Sequence, residues 1–217
     1  MNVLLDVFEI GSNFIILLPI VILFNSRMVV YTIAWIIATI SSLIYHLCRI
    51  DESNCFVSLD QVRSLDHLHA SLLLIIGALT LVHFIEIIPV YIEIIIIVSS
   101  YIINLILVLV FWLKLIYVVH IVSVIYAITI LITTPIYFVR RYSFENGVTR
   151  KMAFTKMINK IRSRKAFLFG FTIGIIGFLC FIITPFFDND ILYQILHSFW
   201  HLLTSIGYTI VVLAIKM

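Results

Sequence analysis

The sequence predicts an all-α membrane protein: a single bundle of seven transmembrane helices, with the N-terminus outside and the C-terminus cytoplasmic. Three observations lead there. Of 217 residues, 63% are hydrophobic and 12% charged, with a mean hydropathy of +1.21; soluble domains carry about 25% charge. The apolar residues run in stretches close to the roughly 20 that cross a bilayer. Nine of the fourteen basic residues fall between Arg140 and Lys165, with Glu145 the one acid among them. A basic block between two apolar runs marks a cytoplasmic loop. This composition excludes a soluble domain, a disordered chain and a nucleic-acid module, and the whole of 1–217 reads as one domain.

The elements follow in order. A first span over about 7–24 ends at Asn25-Ser26-Arg27, and a second covers about 28–47. The polar stretch Cys48 to Asp66 forms an outer loop, and a third span runs over about 65–84. Glu86 to Glu93, bracketing Pro89, makes a short turn. The next fifty residues hold one base, Lys114, and at 1.5 Å per residue they divide into spans at about 90–112 and 116–138. After the basic loop come spans at about 166–186 and 192–215, separated by Asp188-Asn189-Asp190. With the basic loop cytoplasmic, Arg27 and Lys216 fall inside, and Cys48–Asp66 and Asp188–Asp190 outside. No basic n-region or cleavage site is visible near Met1, so the first span is expected to do the targeting. Cys48 and Cys55 share the outer loop, where an oxidising compartment allows a disulfide; Cys180 reads as a packed thiol.

Ionisable residues inside a bilayer ask for a reason. His197 and His201 stand four apart, on one helix face and one turn apart. Ser42 and His46 repeat that spacing near the outer end of the second span, and Asp66 sits where the outer loop re-enters the membrane. The topology therefore brings Ser42, His46, Asp66, His197 and His201 to the same outer half. Three histidines with an open fourth position are a usual catalytic zinc shell, so His46, His197 and His201 are the expected ligands, zinc the expected ion, and Ser42 and Asp66 the expected catalytic groups. Blander readings fit the rest. His67 and His69 face opposite ways, and one of them is a candidate neighbour of the site. His83 and His120 read as helix–helix hydrogen bonds, Glu86 and Glu93 as inner loop anchors, and Asp6 and Glu9 as residues of the outer mouth. Gly170, Gly174 and Gly177 give a small face for close packing. The basic loop is also fit to touch anionic lipid.

Ser41-Ser42-Leu43-Ile44-Tyr45-His46-Leu47-Cys48 resembles the serine-tyrosine-histidine-cysteine signature of the transmembrane protein 8 and myomaker family. Asp60 and Asp66, with Cys55 upstream, resemble its second block. Phe186-Phe187-Asp188-Asn189-Asp190, followed by His197-Ser198-Phe199-Trp200-His201, resembles its last. The likeness covers nearly the whole chain. That family belongs to the CREST superfamily of seven-span membrane hydrolases, with the alkaline ceramidases and the progestin and adipoQ receptors. The resemblance implies zinc on His46, His197 and His201, Ser42 and Asp66 beside the reactive water, and cleavage of lipid amides or acyl esters. The expected function is thus a zinc-dependent hydrolase acting on an outer-leaflet or lumenal lipid. The alternative is a myomaker-like fusion protein with a structural zinc and no catalysis; a receptor or transporter explains the shared depth of the five residues less well. The expected partners are a membrane lipid substrate, the bilayer and a second copy in a homodimer, with no nucleic acid. The expected location is the plasma membrane or the secretory pathway.

Overall fold

The computed structural model describes residues 3–51, 53, 55–85, 88–111, 116–184 and 190–216. Among them there are nine α-helices and no strand: α1 (Val3–Phe14), α2 (Leu17–Asn25), α3 (Val29–Ile50), α4 (Leu59–Ile85), α5 (Val90–Phe111), α6 (Ile116–Asn146), α7 (Arg150–Ser163), α8 (Lys165–Ile183) and α9 (Asp190–Lys216). They supply seven segments long and apolar enough to cross a membrane, with α1 and α2 forming the first of them. Large apolar side chains stay on the surface, Ile95 at 62%, Ile125 at 58% and Ile132 at 56% exposed. In water such a surface would aggregate; in a bilayer it faces acyl chains.

Helix boundaries differ from the expected spans where local chemistry overrides hydropathy. The first span is broken at Ile15–Ile16. Pro19 has no N–H to give the Ile15 carbonyl, and Ser12 and Asn13 turn their side chains back onto the Glu9 carbonyl at 2.7 and 3.0 Å. The third helix begins at Leu59 instead of residue 65. Ser58 and Gln61 cap it reciprocally, Ser58 N–H donating to Gln61 Oε1 at 3.1 Å and Gln61 N–H to Ser58 Oγ at 3.4 Å. The outer loop is correspondingly shorter, and Cys48 and Cys55 are joined in a disulfide across it. The fifth span continues to Asn146, and the expected basic loop is largely helical. Gly147, at φ +62°, ends α6, and Thr149 Oγ1 caps α7 by accepting from Met152 N–H at 3.3 Å. The expected turn at Lys114, Glu86 and residues 188–189 of the turn before the last span lie outside the described residues.

Helix α4 is the central pillar, touching α3, α5, α6, α7 and α9, and its apolar face joins Leu23, Trp35 and Val212 in the main core. The largest interface is that of α8 with α9. Glycine allows it. A Cβ on Gly207 would lie 2.5 Å from Gly174 N and 2.6 Å from Gly170 O, both backbone atoms. Without a hydrophobic drive between helices in lipid, such close van der Waals contact is what binds them. Helices α5 and α6 are held more loosely and gain polar ties instead, Asn104 donating to Ser123 Oγ at 2.9 Å.

Gly207→Ala is therefore expected to push α8 and α9 apart and cost about 1–3 kcal/mol, read as a lowered Tm in detergent. Gly11→Ala, which meets nothing within 4 Å, is expected to leave Tm unchanged or slightly raised. Equal effects of the two would contradict this packing.

Candidate metal centre

Helices α3 and α9 carry the histidines to one point. His46 sits in the last turns of α3; His197 and His201 lie one turn apart on α9. All three are 1% exposed. One nitrogen from each lies within 4.8 Å of the others, and their ring centroids are 4.8–5.5 Å apart. Two nitrogens at 2.0–2.1 Å from a tetrahedral zinc stand roughly 3.4 Å apart; His46 Nε2 and His201 Nε2 are 3.3 Å apart. His197 Nε2 is buried with no hydrogen-bond partner. A buried imidazole left unpaired is costly, and a divalent cation among the three would satisfy it. Three imidazoles are a donor set that suits zinc, as it does copper, iron or nickel.

The two other expected residues are here as well. Ser42, one turn before His46, has its hydroxyl 3.4 Å from His201 Nε2 and hydrogen-bonds the Asp66 carboxyl. Asp66 comes from α4, is 2% exposed, and keeps its Oδ2 without a partner. Ser42, Asp66 and His201 line a pocket of about 10 Å³, room for about one water. Trp35, Ala70, Leu73, Trp200 and Thr204 border both this pocket and an apolar cavity of about 330 Å³, within the size range of ligand sites. The cavity lies between α4, α6, α8 and α9, and among the described residues α6 and α8 share no extensive interface. On the other side the histidines are roofed. Tyr193 stacks on His197 with centroids 5.4 Å apart, its hydroxyl is 3.1 Å from that of Tyr45, and Arg49 lies 4.6 Å over its ring.

One residue of the candidate site escaped the sequence reading. Glu9 of α1, expected at the mouth, is 2% exposed and belongs to the site. Its Oε1 lies 2.8 Å from His46 Nδ1 and 2.8 Å from an Arg49 nitrogen. A carboxylate there keeps the proton on Nδ1, so that Nε2 turns its lone pair toward the other histidines. The only signal was an acid inside an otherwise apolar run, which by itself says nothing about its partner.

His69 goes elsewhere, its Nε2 3.4 Å from the Tyr101 hydroxyl; His67, whose ring packs on Phe181 at 5.5 Å, is the one that neighbours the site, close enough to His197 to act on it electrostatically. His83 does join two helices, through Glu93 of α5. Glu93 is buried at 4% exposure, so it is no loop anchor. The side chains of Asp6 and His120 lie outside the described residues.

Fold and centre together define a multi-pass helical membrane protein with a buried three-histidine cluster next to an apolar cavity. The chain belongs to the DUF3522 family, described as a protein of unknown function, whose family model matches residues 2–202. That range contains all five expected site residues and Glu9. No curated protein matches the sequence.

Glu9→Gln keeps the shape and removes the carboxylate charge that faces His46 Nδ1 and Arg49. It is expected to weaken Zn2+ binding by the purified protein about 10–100-fold, measured by competition with a chromogenic chelator. Unchanged affinity would separate Glu9 from the centre.

Proposed function

We propose that the protein is a zinc-dependent hydrolase that cleaves an acyl ester or amide of a membrane lipid. The observation that carries the reading is a carboxyl and a hydroxyl, Asp66 and Ser42, placed beside three convergent histidines, in a small pocket whose border is shared with an apolar cavity. A purely structural clamp across α3 and α9 needs the histidines alone. It leaves the burial of Asp66, with one oxygen unpaired, without a reason. The likeness of residues 41–48 and 186–201 to the transmembrane protein 8 and myomaker family supports the same chemistry.

His46, His197 and His201 would hold the ion, which when bound would supply Lewis acidity to the reacting carbonyl and to water. The protein's own groups do the rest. Asp66 Oδ2 accepts a proton from the attacking water and returns it to the leaving amine or alkoxide as general acid. The Ser42 hydroxyl, within reach of Asp66 and His201, donates to the developing oxyanion. Acyl chains lie in the cavity between α4, α6, α8 and α9, and they enter between α6 and α8 from the bilayer. Wide apolar walls bind such chains with little selectivity among them.

The charge distribution sets the orientation within this proposal. The end bearing α7 is cytoplasmic, the disulfide end and the N-terminus are exoplasmic, and the C-terminus is cytoplasmic. The substrate is then a lipid of the outer or lumenal leaflet, in the plasma membrane or along the secretory pathway.

His197→Ala is expected to lose bound zinc, read by elemental analysis of purified protein. Asp66→Asn is expected to keep the zinc and lose about 10²–10⁴-fold in fatty-acid release, assayed on ceramide, phospholipid and GPI lipids. Zinc-loaded wild type that releases no fatty acid from any of these would overturn the hydrolase, and so would an Asp66→Asn variant as active as wild type.

A further inference from the structure

The metal centre makes no use of the opposite end of the molecule, where α7 lies. From Arg150 to Lys165 there are seven basic residues and no acid, and all seven are exposed. Lys156 lies 4.5 Å over the Tyr142 ring, and Lys160 donates to the Ile85 carbonyl at 3.3 Å. Arg150, Lys151, Arg162, Arg164 and Lys165 meet no carboxylate among the described residues. Among the described residues the nearby acid Glu145 is engaged by Arg141 at 2.8 Å. Five cations this close, with no carboxylate partner among the described residues, repel one another, and an anionic partner offsets that.

The arrangement around α7 says which partner. Ala153 and Met157 are buried against the bundle. At 100° per residue, Phe154 and Ile158 fall on a flank between that buried face and the outward Lys151 and Arg162. Phe154 is 51% exposed, and Phe144, just before the Gly147 turn, is 90% exposed. Apolar residues beside a cationic stripe are the pattern of a helix lying in a lipid interface. The hydrogen bond from Lys160 to the end of α4, and the start of α8 at Lys165, hold α7 at the level where the spans leave the bilayer. What meets it there is the plane of headgroups.

We propose that the exposed face of α7, together with the first residues of α8, binds the headgroups of anionic phospholipids. Arg162 and Arg164 present guanidinium forks suited to phosphate oxygens, while Phe154 and Ile158 enter the acyl boundary beneath them. The site is independent of the metal centre and stands whether or not that centre hydrolyses lipid.

The full-length protein is placed in nanodiscs of phosphatidylcholine, alone or with one quarter phosphatidylserine. Native mass spectrometry then reads the retained lipid, and amide hydrogen exchange reads residues 150–165. Phosphatidylserine is expected to be enriched over its bulk share and to slow exchange in α7. Replacing Lys151, Arg162, Arg164 and Lys165 by Gln is expected to abolish the enrichment, by up to about fivefold for each cation removed. Lys151→Arg with Lys165→Arg is expected to preserve it. Should the fourfold variant fail to fold, the wild type decides: added NaCl is expected to remove the enrichment. Enrichment that survives high salt, or an equal lipid complement in wild type and a folded fourfold variant, overturns the proposal. So does inorganic phosphate that protects α7 equally in phosphatidylcholine alone, since the ligand is then a free anion and not a lipid surface.

Discussion

The structure turns on a single constraint, that polar groups taken out of water must be answered inside the bundle. An unpaired charge in an apolar medium costs far more than any one helix contact returns. Glu9 is where this weighs most. Its carboxylate is answered twice, by Arg49 and by His46, and both partners lie on the last turns of α3. Helix α1 therefore cannot drift away as a loose membrane anchor would. It is drawn against α3 and α9, and in being drawn there it sets the orientation of a ring that α9 needs. The demand for electrical compensation thus becomes a positional requirement on three helices at once.

The bundle divides accordingly into a tight half and a loose half. Helices α8 and α9 meet backbone to backbone through Gly170, Gly174 and Gly207, which fixes the rail on which His197 and His201 ride. On the far side of α4, α6 is kept from α8, and the space between them is the apolar cavity. The same glycines serve both ends. Where they face one another they allow contact; Gly170, Gly174 and Gly207 also border the cavity, as does Gly77 of α4, and there they leave volume. Rigid placement of the histidines and room for a flexible apolar guest arise from one choice of small residues.

The two histidine-bearing helices and Ser42 were legible because helical geometry is periodic: spacings of four and the depth of each apolar run put them on shared faces before any contact was known. Their convergence with Asp66 followed from topology, since charge asymmetry fixed which helix ends lie together. Glu9 was not legible, because no period or motif links residue 9 to residue 46; the pairing is purely tertiary. The helix at 150–163 was hidden by its charge, although Thr149 and the row Ala153, Met157 and Ile161 carry both a cap and a 3.6-residue repeat. The early start of α4 was written in Ser58 and Gln61 but masked by the acidic residues around them. Hydropathy sees what lipid sees, so it finds the segments that lipid touches and misjudges those that meet water or protein.

Helix α4 shows how polar pairs do work that apolar packing in a membrane cannot. Asp66 and His83 stand roughly 25 Å apart along its axis, near opposite ends. Each must find its partner, Ser42 of α3 for the first and Glu93 of α5 for the second. A helix pinned by polar groups at two distant points is free neither to rotate nor to slide. Between the pins His69 reaches Tyr101 of α5 at 3.4 Å, and Thr80 meets the Tyr208 hydroxyl of α9 at 2.9 Å. Leucine and isoleucine would pack against α5 almost as well at any rotation, because lipid competes for the same surface on equal terms. The specificity of the arrangement therefore resides in its few polar residues, and the many apolar ones supply the medium that makes those pairings decisive.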